Sequence, residues 1–393
     1  DLLRATNART LADQVSVCEI PAPPFEEAAR GRELARRFAA LGLRDVRTDA
    51  EGNVIALRPG ARADAAAVVL SAHLDTVFPE GTDVRVRRDT IAATDSTGGE
   101  RLTAPGIGDD CRGLAVLTAV ARALDSAGVR TAGPVLFVGT VGEEGPGNLR
   151  GVRRLFAETL RGRVAHFISV DGTGLGATTA AVGSNRYRVT FRGPGGHSYG
   201  AFGMPNPAHA MGRAIARIGE IRVPAAPRTT FNVGVVSGGQ SVNSIPSSAT
   251  MEVDLRSESP AALARLDAEV RAAVARAVAD ERARWPRSRA ALAAEVVETG
   301  RRPAAAPGDR TPIARTVVAA GRALGFAVPT GASSTDANVP MALGISAVTI
   351  DGGGFGAGAH APAERYEDTT RGWLGPQWAA LVTVALAGGV ARP

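Results

Sequence analysis

The stretch LSAHLDTVFP, Leu70–Pro79, decides how the rest of the chain is read. Its approach, Ala67-Val68-Val69-Leu70, is a run of apolar β-formers, and a continuous run of that kind marks a strand buried on both faces, as parallel strands are. The run ends in small residues, and His73 and Asp75 then follow two apart. On extended backbone, positions i and i+2 point the same way, and ligands of open α/β sheets collect at the carboxyl ends of strands. The pair therefore reads as an imidazole able to ligate a metal beside a carboxylate able to orient it. Alone, it fits a surface loop equally well.

The other strands tip that balance. Pro134–Val141, PVLFVGTV, runs into Gly142-Glu143-Glu144-Gly145; His166–Val170 ends in Asp171-Gly172; Ala347–Ile350 leads through DGGGFGAGAH to His360. Four apolar runs thus each deliver His, Asp or Glu at or soon after their ends. Of two adjacent glutamates, one can ligate a metal while its neighbour shuttles a proton. Gly106–Gly128 adds Asp109 and Asp110 in front of a helix, which the spacing of Leu114, Leu117, Val120 and Leu124 starts near Cys111 or Arg112. These acids can be a cap and first-turn charge, or a carboxylate presented to a pair of cations. Collected, the candidate ligands are His73, Asp109, Glu144, Asp171 and His360. Two histidines and three carboxylates exceed what one tetrahedral zinc requires. A thiolate-free N/O set suits two divalent ions sharing a carboxylate, with zinc the default and cobalt or manganese as alternatives. Glu143, next to a ligand, is the candidate general base.

At 393 residues the chain is long enough for two domains. Asn7–Gly42 reads as helical around the Pro21–Pro24 turn, Asp45–Leu57 as a hairpin, and Thr82–Gly99 as a short hairpin or irregular excursion. From Asn185 the pattern becomes β-α-β-β-α-β, with Ser259 and Pro260 opening a long second helix, which is the ferredoxin-like order. We expect a domain at 184–300 inserted into an α/β domain formed by 1–183 and 301–393.

Composition excludes several classes. Every one of the 45 basic side chains is Arg, so lysine Schiff bases, phosphate-loop lysines and lysine general bases are impossible. The net charge of +6 does not indicate nucleic acid, because the arginines alternate with acids and aromatics make up only 4%, too few for a stacking surface. No apolar run approaches the roughly 18 residues of a membrane span. Two cysteines, Cys18 and Cys111, give no disulfide framework and fit a reducing compartment. The cytoplasm is the expected location; a chain opening at Asp1 leaves room for a removed leader and an exported form.

The motifs HLDTV, GIGDD, GEEG, SVDGTG, GGHSYG, NSIP, DLRS and the final GAH, in this order, resemble those of the dinuclear-zinc exopeptidases and deacylases. That family includes aminoacylase, peptidase T, glutamate carboxypeptidase and succinyl-diaminopimelate desuccinylase. The resemblance spans essentially the whole chain. It implies a zinc-exopeptidase-like three-layer α/β catalytic domain carrying a ferredoxin-like α+β lid and dimerisation domain, hence a homodimer. It implies two Zn2+, with His73 and Asp171 on one, Glu144 and His360 on the other, and Asp109 bridging. It further implies a cis peptide after Asp109, Asp75 orienting His73, and Glu143 as general base acting on a bridging hydroxide. His197 in GGHSYG resembles a histidine that enters the partner subunit's site and steadies the tetrahedral oxyanion. Asn243 and Arg256 resemble substrate-binding positions; a guanidinium can grip a substrate carboxylate, although a strand arginine also serves as a plain ion-pair partner. Cys111 stands where many relatives carry Lys or Gly and is expected to pack. The stretches SSTDANVP and VGEEGPGN look most like the peptidase T branch, so small peptides are the expected substrates, with N-acyl amino acids the alternative. Neither nucleic acid nor membrane is expected as a partner.

Overall fold

The computed structural model describes residues 1–91, 99–368 and 371–390. It divides into two compact units, Asp1–Ala181 with Ala306–Pro393, and Val182–Ala305. Part of the expected Thr82–Gly99 excursion lies outside the described residues. Its flanks, Arg87–Ile91 and Gly99–Thr103, pair as antiparallel strands.

The first unit is built on an eight-stranded sheet. Its centre is four mutually parallel neighbours in the order Val135–Thr140, Ala67–His73, Val164–Val170 and Ser346–Ile350. These are the four apolar runs of the sequence, so their carboxyl ends share one edge. Side chains alternate between two cores. Val68, Leu70, Ala72, Val135, Phe137, Ile168, Val170, Val348 and Ile350 join one cluster with the helices Asn7–Cys18, Ala28–Ala40, Cys111–Ser126, Pro312–Ala323 and Leu374–Leu386. On the opposite face Phe167 meets Phe156 edge-on, centroids 5.5 Å apart, under the helical segment Arg150–Thr159. Both faces being covered, every residue of Ala67–His73 is buried, which is why the run carries no polar alternation.

Local chemistry fixes the ends. Asp110 caps the helix Cys111–Ser126 by accepting the Gly113 N–H at 2.9 Å. The hairpin Arg44–Thr48/Val54–Arg58 turns on Asp49, whose Oδ1 accepts the N–H groups of Glu51, Gly52 and Asn53.

The second unit is built on a four-stranded antiparallel sheet, Gly183–Arg192, Thr229–Gly238, Ser248–Ser257 and Ala293–Arg302, ordered second, third, first, fourth. That is the ferredoxin-like order. Helices Pro207–Gly219 and Pro260–Ala283 cover one face, packing Ala214, Ile218, Leu266 and Val270 on Tyr187, Phe191, Met251 and Leu255. Ser259 accepts the Ala262 N–H, and Pro260 takes the first helical position. The strand Ser248–Ser257 alternates half-buried and buried at every step, so Thr250, Glu252, Asp254 and Arg256 share the uncovered face. Among the described residues no helix is long and apolar enough to cross a membrane.

Candidate active site

The shared edge of the four strands gathers the five candidate ligands. His73 closes its strand, and its Nε2 lies 2.9 Å from Asp109 Oδ1 and 3.9 Å from Asp171 Oδ1. His360 Nε2 lies 3.1 Å from Asp109 Oδ2 and 2.9 Å from Glu144 Oε1. Two triads result, His73–Asp109–Asp171 and Asp109–Glu144–His360, each with ligand atoms within 4.8 Å of one another and Asp109 common to both. Glu143 stands with His73 and Glu144 within the same limit. The Asp109–Asp110 peptide is cis.

The tautomer of His73 follows from its other nitrogen. Nδ1 is 3.0 Å from the Asp75 backbone carbonyl, which can only accept, so Nδ1 carries the proton and Nε2 faces the carboxylates. Here the structure refines the expectation that Asp75 orients His73. The close contact is with the Asp75 main chain; its carboxylate oxygen sits at 3.8 Å. The carboxylate instead holds the glutamate turn, Oδ1 accepting the Glu143 N–H at 3.1 Å and Oδ2 the Glu144 N–H at 2.8 Å. Both glutamates are thereby aimed by one buried acid.

The electrostatics call for positive charge. A bare imidazole nitrogen and a carboxylate oxygen at 2.9 Å are both acceptors, so a proton or a metal ion must lie between them. In the metal-free chain a proton fills that role. Hydrogen bonds to Asp109 and Glu144 raise the His360 imidazolium to about 10. Burial opposes a charge on His73, yet Asp109 and the nearby Asp110 carry it well above its ordinary value. Asp109, though buried, is held far below the usual carboxylate range by His360 and His73. Burial, with Asp109 and Glu144 adding repulsion, pushes Asp171 up to about 8. Burial raises the Asp110 carboxyl well above its ordinary value too, so the pocket favours added positive charge. The donor set of imidazole and carboxylate, without thiolate, fits hard to intermediate divalent metals.

Residues that the sequence reading passed over support this edge. Glu364, 2% exposed, accepts the N–H groups of Gly106, Gly108 and Asp109. Asp336, 1% exposed, accepts the Thr140 hydroxyl at the end of the Val135–Thr140 strand. Arg30, fully buried, donates to the carbonyls of Cys18, Ile20 and Leu74, the last one beside His73. Only Glu364 had a usable signal, its place four residues after His360. Cys111 is the first residue of its helix and fully buried, as expected of a packing residue.

The remaining candidates lie in the second unit. His197 and Asn243 both line a cleft of about 630 Å³ with Gly195, Gly239 and Ser244. His197 Nδ1 accepts the N–H groups of Tyr199 and Gly200, each at 3.3 Å, which leaves Nε2 as the donor. The Asn243 carbonyl accepts the Ser198 N–H at 2.9 Å, tying the two motifs together. Arg256 is not in that lining; its Nε pairs with Asp254 at 2.7 Å on the open sheet face.

The chain belongs to Peptidase family M20/M25/M40, whose pattern matches residues 69–371. It is accordingly an enzyme, a metal-dependent hydrolase of the peptidase and amidohydrolase class. Comparison with curated proteins returns no match. Among solved structures, the aminopeptidase PepT of Bacillus cereus ATCC 10987 is similar at 20% identity over 96% of this chain and 97% of that one, TM-score 0.74. A dinuclear metal-binding peptidase of the M20 family from Bacillus subtilis shares 17% identity over 98% of both chains, TM-score 0.67. A hydantoinase/carbamoylase family amidase from Burkholderia ambifaria shares 21% over 99% and 97%, TM-score 0.64. At such identities the likeness is one of fold.

Proposed function

We propose that this protein removes residues from di- and tripeptides, hydrolysing an amide bond at a pair of divalent ions, with zinc the default and cobalt or manganese as alternatives. The observation that carries the reading is Asp109, which offers one carboxylate oxygen to each of two triads. His73 and Asp171 would hold one ion, Glu144 and His360 the other. When bound, such ions supply Lewis acidity, acidifying water and polarising a carbonyl. The chain's own groups do the rest. Glu143, its backbone pinned by Asp75, accepts the proton of the attacking water on its carboxylate and passes it to the leaving nitrogen as the C–N bond breaks. His197, with its acceptor nitrogen already occupied, donates through Nε2 to the oxyanion, and in a homodimer it serves the partner's site. The inserted unit takes the lid and dimerisation roles on the strength of the family resemblance. Asn243 is assigned to substrate contact from its place in the His197 cleft. Arg256 can grip a substrate carboxylate if Asp254 releases it.

Peptides are favoured over N-acyl amino acids by the SSTDANVP and VGEEGPGN stretches and by the peptidase-like neighbour of higher TM-score. Deacylation remains the second reading, because an amidase is similar to this chain over nearly its full length, and both reactions cleave the same bond. The cytoplasm is the proposed location. The test is a panel of di- and tripeptides against N-acetyl and N-succinyl amino acids, run on protein of measured metal content. Turnover of peptides with two ions per chain supports the proposal; turnover of acyl amino acids alone replaces it with the second reading.

A further inference from the structure

We propose that Glu364 is the positioning residue for Asp109, fixing through the main chain the one carboxylate that both triads share. The inference rests on the two-ion reading above. Glu364 Oε2 accepts the Gly106 N–H at 3.1 Å, and Oε1 accepts those of Gly108 at 2.8 Å and Asp109 at 2.9 Å. A carboxylate accepts at both oxygens where a carboxamide accepts at only one, because the amide's other head only donates. The segment it grips has no helix or strand to hold it; it is the loop between Thr103 and Cys111. The backbone carbonyl of Glu364 accepts the Ala104 N–H at 3.0 Å, so the loop is tied at its start as well as near its end.

The loop is shaped to admit this carboxylate. A side chain at position 108 would place its Cβ 3.0 Å from both Glu364 Oε1 and Thr173 Cγ2, and Gly106 has φ +75°. The origin of the clamp matters too. Glu364 lies four residues after His360, whose Nε2 touches the carboxylate of Asp109 and that of Glu144. One short segment therefore sets the Asp109 side chain with an imidazole and its backbone with a carboxylate. A shift of Glu364 moves ligands of both triads together. Loss of a residue that holds a ligand in place characteristically weakens metal binding about 10- to 100-fold.

The experiment titrates the chelated full-length protein with Co2+ and follows the visible absorption of the bound ion and its stoichiometry. Glu364→Gln keeps the shape and sets an NH2 group against backbone N–H donors. Leu117→Ala, in the core helix of the same unit and fully buried, is the control for lost stability alone. The expected result is that Glu364→Gln weakens both Co2+ binding steps about 10- to 100-fold with an altered spectrum, while Leu117→Ala leaves both steps unchanged. Should Glu364→Gln not fold, Gly108→Ala crowds the same carboxylate, its Cβ falling 3.0 Å from Oε1, and is expected to weaken both steps in the same direction. Wild-type affinity in whichever of these variants folds, or a loss no larger than that of Leu117→Ala, overturns the inference alone. A wild-type protein that binds no Co2+ overturns the two-ion reading and this inference with it.

Discussion

Asp75→Asn is the sharpest test of how the site is built. Asp75 is fully buried, and each of its carboxylate oxygens accepts one backbone N–H, from Glu143 at 3.1 Å and from Glu144 at 2.8 Å. Asparagine has the same shape but a single acceptor oxygen, so one of those two N–H groups would face an NH2 group instead. Leaving a buried donor unmade costs about 1–3 kcal/mol, and hydrogen bonds to a charged acceptor lie at the upper end. The variant should therefore unfold at lower urea concentration by that amount, with an unchanged m-value. Turnover should suffer more than stability, because the turn displaced carries both the proposed base and a proposed ligand. A displacement of about 1 Å at a reacting group can cost 10²-fold, so kcat for a cleaved peptide should fall by about that factor. The two measurements are urea unfolding of chelated protein and steady-state kinetics at fixed metal loading. A variant with wild-type unfolding midpoint and wild-type kcat would refute the claim that this carboxylate holds the glutamate turn.

Further expectations follow from the same geometry. Glu143→Ala should keep both ions by elemental analysis and lose about 10²–10⁴-fold in kcat; full turnover in that variant removes Glu143 from the proton path. In chelated protein, His360 is raised to about 10 and Asp171 to about 8. A raised imidazole stabilises the fold fully below its unfolded value and ceases to as pH climbs through 10. A raised carboxyl costs stability as pH rises from its unfolded value through 8, so both push the same way. The urea midpoint of chelated protein should thus fall from neutral to alkaline pH, less steeply in His360→Ala, and a flat profile would contradict the assignment. Leu70→Ala, in the fully buried central strand, should cost about 2–5 kcal/mol by urea unfolding; a cost below about 1 kcal/mol would mean the strand is not central to the core.

What could be read in advance divides along a physical line. His73, Glu144 and Asp171 were visible because a charge abutting an unbroken apolar run has few bland explanations, and parallel strands bring such ends to one edge whatever their separation in sequence. The ferredoxin-like order of the second unit was visible because strand and helix periods differ and Ser259-Pro260 marks a helix start. The division of labour within Asp75 was hidden: its carboxylate serves amides and its carbonyl serves an imidazole, and a residue letter does not distinguish the two. Glu364 was signalled only by its place four residues after His360, and its role was hidden for a related reason. Its partners are the backbone N–H groups of Gly106, Gly108 and Asp109, which every non-proline residue possesses, so no side-chain pattern announces them. The two roles open to Arg256 turn on the company it keeps, and the pairing with Asp254 is a property of the folded sheet.

The second unit begins and finishes on neighbouring strands: Ser184 faces Arg302 across an antiparallel ladder. Its two connections to the host therefore stand about one strand spacing apart, near 5 Å. Cutting the guest out leaves a gap that a tight turn of two or three residues spans. Host and guest are in that sense cassettes, and a foreign module with closely set termini could be grafted at the same junction.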